Sequence, residues 1–411
     1  MSSDREWGLS ELGKEATNAS RPFSFKECPK VVFVNTSDVL AGKLLHATTS
    51  SCEGLPGQAK KALRRDDILL TEIRPGNDRF AYVDFDPQQY VVSTKFMVIE
   101  SRGRVVPRFL YHVLTNRLAL DEFQRIAESR SGTFPQITFD SIAHFPIPIP
   151  PIAEQEGLAR FFDQLQGRLD LLRETNTTLE AIAQALFKSW FIDFDPVRAK
   201  QQGVAPAGMD EATAALFPDG FDESALGLVP KGWPIKTLQD LLVLQRGFDL
   251  PAQDRIPGDF PVIAASGPSG THAEAMAKGP GVVTGRSGVL GRVFLELDDH
   301  WPLNTTLWVK EFRGATPCYA YEVLRLLDFK AFNAGSAVPT LNRNHIHGLP
   351  YVLPPLGCVE AYEALAIRLQ KRAQLNAHQS KSLATLRDTL LPRLISGKLR
   401  LPQNEPELET T

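Results

Sequence analysis

The amino-acid sequence contains an internal repeat, and this repeat constrains the fold more than any other feature of the chain. A shift of 204 residues carries Pro135, Pro146, Pro150 and Pro151 onto prolines. Apolar residues keep the same register from Pro135 to Trp190. Agreement over so long a stretch indicates a duplication, which predicts two similar units related by an internal pseudo-twofold axis.

The repeat extends upstream with a shift of 212 residues, which places Arg74 on Arg286 and Thr94 on Thr306. β-branched and aromatic runs at 67–71 and 90–99 predict strands, and 107–117 predicts a helix. Strands at 281–284 and 306–309 and a helix at 319–327 are predicted in the second copy. Each copy is therefore expected to be a mixed α/β globular unit followed by a long helix, which makes the fold class α+β.

Both predicted long helices carry apolar residues at alternating steps of four and three, the pattern of a coiled-coil seam. One polar residue, Asn176, interrupts the first seam and is expected to fix its register. The second seam is less regular, and Pro392 is predicted to kink or end its helix early. The seam residues expected to pack between the helices are Leu158, Phe162, Leu165, Leu169, Leu172, Asn176, Leu179, Leu186, Trp190, Leu369, Leu383 and Leu390.

Charge predicts how the helices pair. Residues 156–195 hold four basic and seven acidic side chains, whereas residues 360–400 hold eight and three. Opposite charge favours pairing of the two helices with each other. We further predict that the two seams pack antiparallel. The alternative is that each helix packs only on its own globular unit. The predicted domains are 1–152, a first globular domain; 153–195, the first spacer helix; 196–230, a linker; 231–356, a second globular domain; 357–400, the second spacer helix; and 401–411, a disordered acidic tail.

Motifs for catalysis are missing from the sequence, which favours a binding protein over an enzyme. There is no Walker A loop, and the glycine-rich stretch 285–291 lacks the GxGxxG spacing, so a tight turn between strands is expected there. His345 and His347 form an HxH pair without a third ligand, and the four cysteines are scattered. No catalytic residue, metal or cofactor is therefore assigned to this chain. Without a signal peptide or a long apolar run, the chain is expected in the cytoplasm, away from membranes.

The order of globular unit, long helix, globular unit and long helix resembles the specificity subunits of type I restriction–modification systems. The resemblance covers nearly the whole chain. The segments that carry it are Ile147–Glu156, Leu179–Phe191, Ala215–Pro218, Gly227–Trp233 and Leu390–Gly397. The second helix departs from the pattern, because Gly357–Glu360 lacks the Glu-Gln pair found at Glu154–Gln155.

The resemblance implies that each globular unit is a target-recognition domain for one half of a bipartite double-stranded DNA site. It also implies that the helices separate the two domains and dock two modification subunits. Those subunits methylate adenine with S-adenosylmethionine, and a motor-nuclease restriction subunit adds ATP- and Mg²⁺-dependent cleavage.

Arginine and polar side chains in matching loops are the candidates for DNA contact, because they bind base edges or phosphates. The alternative for each is a solvated surface charge. They are Arg74, Arg79, Lys95, Arg130 and Thr133 in the first copy, and Arg286, Ser287, Ser336 and Arg343 in the second.

The formal net charge of −3 is unusual for a protein that binds DNA unaided. Three rival functions stay open: a fused methyltransferase or nuclease, a coiled-coil structural adaptor, and the recognition subunit of a two-part system whose partner combines modification and cleavage.

Overall fold

The structure is a computed structural model that describes residues 7–26, 28–130, 132–332 and 339–402. It divides into two compact units, residues 1–171 with 379–411 (unit 1) and residues 172–378 (unit 2). Each unit contains one copy of the repeat and parts of both long helices. The strands and helices up to residue 148 are β1 (Leu9–Glu11), α1 (Leu12–Glu15), β2 (Ala16–Asn18), β3 (Lys30–Val34), β4 (Val39–Leu40), β5 (Lys43–Leu44), β6 (Ser50–Ser51), β7 (Ala59–Ala62), β8 (Ile68–Thr71), β9 (Phe80–Tyr82), β10 (Tyr90–Ser93), β11 (Phe96–Ser101), α2 (Pro107–Thr115), α3 (Arg117–Arg130), α4 (Phe139–Ile142) and β12 (Pro146–Pro148).

The second half of the chain follows the same plan after a long helix. Its elements are α5 (Ile152–Phe191), α6 (Asp195–Gln201), α7 (Glu211–Ala215), β13 (Phe221–Ser224), β14 (Gly227–Pro230), β15 (Ile235–Thr237), α8 (Leu238–Leu241), β16 (Leu242–Arg246), β17 (Phe260–Ala264), β18 (Gly267–His272), β19 (Gly281–Gly285), β20 (Val293–Glu296), β21 (Trp301–Pro302), β22 (Thr306–Phe312), α9 (Pro317–Leu326), α10 (Arg343–His347), β23 (Pro350–Val352) and α11 (Leu356–Ile395).

Unit 1 is built on two four-stranded sheets. The first has strand order β2-β11-β8-β9 and the second β6-β3-β10-β7. Helix α2 buries Phe109 and Leu110 in the same apolar core as Ile68 and Met97 of the first sheet. Each such buried side chain contributes roughly 1.5–3 kcal/mol. This core joins the first sheet to the helices, and a separate one lies between the two sheets.

Unit 2 repeats the first sheet as β16-β22-β19-β20 and carries a three-stranded second sheet, β18-β17-β21. Its core contains Tyr319 of α9, Phe187 and Trp190 of α5, and Tyr362 of α11. The segment predicted as a linker contains α6, α7 and the β13–β14 hairpin. It supplies the buried side chain of Phe217 to the same core.

The two long helices pack antiparallel, as each unit shows separately. In unit 1 the core contains Leu158 and Phe162 from the start of α5 together with Leu394 from the end of α11. In unit 2 the hydroxyl of Tyr362, near the start of α11, donates to the carbonyl of Ala183, near the end of α5. The predicted fold class is therefore confirmed, including the pairing of the helices with each other.

Two predictions about secondary structure are wrong. The stretch 90–99 is not one strand, because a turn at Thr94 and Lys95 separates β10 from β11 and sends them into different sheets. The amide of Thr94 donates to the carbonyl of Gln58 at that turn. Helix α11 does not end at Pro392, which lies inside it. Burial of Leu394 and Ile395 in the unit 1 core carries the last turn past the proline.

The structure also extends the repeat to its beginning. Leu9 of β1 pairs with Pro148, and Ile235 of β15 pairs with Val352. The partners Pro148 and Val352 are themselves related by the shift of 204, so β1 and β15 are equivalent strands. Each copy therefore begins with a short strand that forms a two-stranded sheet with the strand before its long helix, and the internal repeat in the sequence did not reveal this strand.

Candidate nucleic-acid interface

Three segments of unit 1 converge at one end of the first sheet, where β8 and the turn before β11 lie side by side. The amide of Glu72 donates to the carbonyl of Lys95 at 2.9 Å, and the amide of Ile137 donates to the carbonyl of Glu72 at 2.8 Å. The amide of Arg74 donates to the carbonyl of Pro135 at 3.1 Å. We call this set, residues 72–74, 95 and 133–137, the unit 1 edge.

The backbone holds Arg74 in an unusual conformation at this edge. Its φ is 45°, in the left-handed region that non-glycine residues rarely occupy. A short 3-10 turn, Pro75–Asn77, follows, and the amide of Gly76 donates to the side-chain oxygen of Gln124 at 3.1 Å. These contacts present an exposed Arg74 side chain on a braced loop, and such strained backbone is concentrated at functional sites.

Unit 2 builds the same arrangement from matching segments. The amides of Arg286 and Ser287 donate to the carbonyl of Thr305 at 2.8 and 3.0 Å. On the other side, the amide of Leu341 donates to the carbonyl of Arg286 at 2.9 Å. We call this set, residues 285–288, 305 and 339–341, the unit 2 edge. The glycine-rich stretch 285–291 lies between antiparallel β19 and β20, as predicted, but the seven residues 286–292 that join the strands form a loop longer than the predicted tight turn.

Most first-copy candidates lie at or beside the unit 1 edge. Arg74, Arg130 and Thr133 are exposed, and Arg130 reaches the hydroxyl of Thr138 at 3.5 Å. Lys95 is half-buried at the turn. Arg79 is tied down, because its guanidinium donates to the carbonyls of Ser37 and Val39 at 2.9 and 2.8 Å. A structural role thus accounts for Arg79 more fully than for the other four.

The second-copy candidates divide in a similar way. Arg286 and Ser287 are half-buried in the unit 2 edge, and Arg343 is exposed at the first position of α10. Ser336 lies outside the described residues. All of these residues stay predictions as DNA contacts.

One polar pair at the unit 1 edge was not among the candidates. The side-chain amide of Gln136 donates to the carboxylate of Glu72 at 3.1 Å. The repeat places Gln136 on Thr340. The backbone hydrogen bonds place Glu72 on Arg286 and Arg74 on Gly288, so the predicted match of Arg74 with Arg286 is wrong by two residues. A difference between the two copies at positions that share one backbone arrangement was the signal that could have found this pair.

The HxH pair has a structural explanation. Nε2 of His347 accepts a hydrogen bond from the amide of Leu244 at 2.9 Å inside unit 2. Burial lowers the pKa of His347, and the positive charges of Arg343 and Arg313 lower it further, so the imidazole stays neutral and able to accept. Within the part of the chain that the structure describes, no group of three or more His, Cys, Asp or Glu side chains is placed to hold a metal ion.

The helix seam contains a polar pair in unit 2. The side-chain amide of Asn376 donates to the side-chain oxygen of Asn176 at 2.9 Å, and the side-chain amide of Asn176 donates to the backbone carbonyl of Ala373 at 2.9 Å. The predicted seam residues that are buried are Leu158, Phe162, Leu169, Leu172 and Trp190, and those that are half-buried are Leu165, Asn176, Leu179, Leu186, Leu369, Leu383 and Leu390. None of the described helices is long and apolar enough to cross a membrane.

Comparison with known proteins identifies relatives of this chain by sequence. Residues 8–181 match the model of the type I restriction modification DNA specificity domain. The chain is 50% identical over 212 residues to the type I restriction enzyme HindI specificity subunit of Haemophilus influenzae, a match that covers 51% of this chain and 46% of that protein. It is 23% identical over 363 residues to the MjaIX specificity subunit of Methanocaldococcus jannaschii, covering 82% and 78% of the two chains.

The crystal structure of a type I restriction–modification S subunit from M. genitalium is similar over 94% of this chain and 96% of that one. The TM-score is 0.57 at 15% sequence identity, which shows a shared fold. The match to the first of the curated relatives spans about half of that protein's length.

Proposed function

We propose that this chain, whose residues 8–181 match the type I restriction modification DNA specificity domain, is the sequence-reading subunit of a type I restriction–modification complex. Each predicted globular domain reads one half of a bipartite DNA target. The long helices set the gap between the halves and dock two methyltransferase subunits. The chain itself is non-catalytic, and it directs the adenine methylation and cleavage performed by its partners in the cytoplasm.

One observation carries this proposal: unit 1 and unit 2 build the same loop arrangement from repeat-related segments that carry different side chains. Glu72 at one edge and Arg286 at the other occupy equivalent backbone positions, since their carbonyls accept from the amides of Ile137 and Leu341, while Gln136 is replaced by Thr340. A protein that reads two different half-sites needs one scaffold twice with different contact residues. An adaptor without DNA specificity has no need of such divergence at matched loops.

The charge of the chain favours a shared grip on DNA. With 45 basic and 48 acidic side chains, it supplies little overall attraction for phosphates. The modification subunits therefore provide much of the backbone contact, and they bind the S-adenosylmethionine. Restriction subunits supply the ATP- and Mg²⁺-dependent motor and nuclease.

Methylome sequencing of a host that carries the complete system tests the proposal. The expected result is a split motif with methylated adenine in both halves, lost when the gene for this chain is removed. Replacing residues 234–350 with the equivalent region of a relative should change one half of the motif and leave the other unchanged. A contiguous motif, or methylation that persists without this chain, contradicts the proposal.

The recognition subunit of a two-part system is the second candidate, since its chain would have the same architecture. The partner that co-purifies with this chain distinguishes the two. Separate modification and restriction polypeptides support type I, whereas one polypeptide with both activities supports the alternative.

A further inference from the structure

A polar cluster at the end of β16 lies outside the set of candidates obtained from the sequence. The guanidinium of Arg246 lies 4.0 Å from the carboxylate of Asp249, and its Nε donates to the carbonyl of Asn304 at 3.4 Å. The side-chain amide of Asn304 donates to the same carboxylate of Asp249. Arg246, Asp249 and Asn304 thus form one connected group, which we call the β16 cluster.

The β16 cluster continues the unit 2 edge. Strands β16, β22 and β19 are neighbours, and Arg246 pairs with Leu307 while Gly285 pairs with Thr306. Asn304 directly precedes Thr305, whose carbonyl accepts from the amides of Arg286 and Ser287. The three side chains of the β16 cluster therefore lie beside the candidate contact residues of the same unit.

The loop that carries the cluster is rigidly supported. A Cβ atom on Gly247 would lie 2.3 Å from the carbonyl oxygen of Leu303, so only glycine fits there. Phe248 packs against Trp301 and Trp308 with ring-centroid distances of 6.3 and 6.0 Å. A fixed backbone of this kind holds the polar side chains in place before a ligand arrives.

The side chains have the chemistry of base recognition and are free to reach solvent. The side chains of Arg246 and Asp249 are 54% and 72% exposed. Arginine binds the two acceptors of guanine bidentately, asparagine pairs with adenine, and aspartate accepts from cytosine. Asp249 accepts a hydrogen bond from Asn304 and pairs with the guanidinium of Arg246, so its carboxylate orients both side chains. The same carboxylate also presents hydrogen-bond acceptors.

Unit 1 is built differently at the equivalent place. Its matching strand is β2, and the chain that follows runs on to pair with β7 through a bridge between Pro22 and Lys61. The amine of Lys61 is used inside unit 1, where it donates to the carbonyl of Phe96 at 2.6 Å. The two copies therefore share the backbone arrangement of the unit 1 and unit 2 edges and differ in the chain that follows β2 and β16. Domains that read different half-sites must differ in such contact residues.

We propose that Arg246, Asp249 and Asn304 determine base specificity in the half-site read by the second globular domain. This inference rests on the proposed function.

The test measures methylation by the complete system on its bipartite target and on targets with single base changes. Arg246→Ala and Asn304→Ala should each reduce discrimination at one base pair by roughly ten-fold or more. The affected base pairs should lie in the half of the target that changes when residues 234–350 are replaced, and discrimination in the other half should be unaffected. Arg246→Lys keeps the charge but loses the planar fork, so it should fail to restore discrimination.

Arg313→Ala is the matched control, since it removes an exposed arginine that also pairs with an acidic side chain, next to the opposite end of β22. It should leave discrimination as in the unaltered chain. Uniform weakening on all targets, or rescue by Arg246→Lys, would assign the cluster to phosphates and overturn the inference. If Arg246→Ala prevents assembly of the complex, the base discrimination of Arg246→Lys and Asn304→Ala tests the proposal instead. Failure of the proposed function itself is distinguishable, because the unaltered complex would then give no bipartite motif.

Discussion

The asparagine pair in the helix seam gives a prediction in which the loss of stability depends on which partner is removed. Asn376 is 1% exposed, and its side-chain nitrogen donates to Asn176. Its side-chain oxygen is buried without a hydrogen-bond partner among the described residues. The native pair therefore combines two hydrogen bonds with one unsatisfied acceptor.

Asn176→Leu removes the acceptor and leaves the nitrogen of Asn376 buried without a partner. Stranding such a group costs about 1–3 kcal/mol of the free energy of unfolding. Asn376→Leu also breaks the pair, but it removes the unsatisfied oxygen and leaves only the half-buried Asn176, which keeps its bond to Ala373. Its cost should be smaller, about 1 kcal/mol or less. The double leucine variant should match or exceed the stability of the native chain, because both polar groups are gone from an apolar seam.

Urea unfolding followed by circular dichroism at 222 nm measures these free energies for the four chains. The expected order of stability is Asn176→Leu below Asn376→Leu, and Asn376→Leu below the double variant. Equal losses for the single variants that add in the double variant would refute the reasoning, because additivity means that the two side chains do not interact. The double variant should also relax the gap in the methylated motif, since a polar seam residue specifies register.

Three other perturbations test separate parts of the structure. Burial raises the pKa of Glu322 to about 7, whereas a pKa of about 4.5 is expected in the unfolded chain. The free energy of unfolding should therefore fall as pH rises from about 4.5 to about 7, by about 3 kcal/mol at pH 8. Glu322→Gln should abolish this loss, whereas removing the exposed carboxyl of Glu360 should leave the loss unchanged. Phe162→Ala should cost about 3–5 kcal/mol in urea unfolding, because its ring is 2% exposed in the unit 1 core, and a loss below 1 kcal/mol would contradict that packing. Inserting seven residues after Thr177 and seven before Ala373 keeps the seam in register and lengthens both helices by about 10 Å. The gap in the methylated motif should then grow by about three base pairs, with the recognised bases unchanged. Altered bases with an unchanged gap would exclude the helices as the spacer.

Local sequence signals predicted the repeated elements well where periodicity was strong. The seam from Leu158 to Trp190 lies in a single helix, and the polar break at Asn176 is hydrogen-bonded to Asn376 of α11. Prediction failed where distant packing outweighed local preference. Pro392 disfavours helix, yet the burial of Leu394 and Ile395 in the core of unit 1 continues the helix beyond it.

The candidate site shows the same division. The repeat alone identified the matched loops at 72–74 and 286–288, because duplicated segments occupy duplicated positions, but it placed Arg74 on Arg286 where the hydrogen bonds place Glu72. It could not identify the partners of those loops, since Glu72 meets Gln136 across 64 residues and Arg246 meets Asn304 across 58. The equivalence of β1 and β15 was likewise missed, because three-residue strands carry too little pattern to align.

The sequence by itself determined that the chain has two copies of one unit, each followed by a long amphipathic helix, because duplication and a heptad period are properties of residue order. Only the tertiary structure decided which loops share an edge and which polar side chains are occupied in holding it. Arg79 and His347 resemble ligand-binding residues in the sequence, but the fold uses them to satisfy buried or turn backbone groups. Arg246 and Asp249 gave no sequence signal. They lie beside the unit 2 edge because β16 and β22 pair in a fixed register. Contacts between segments distant in the sequence set this register and so decide which residues become neighbours.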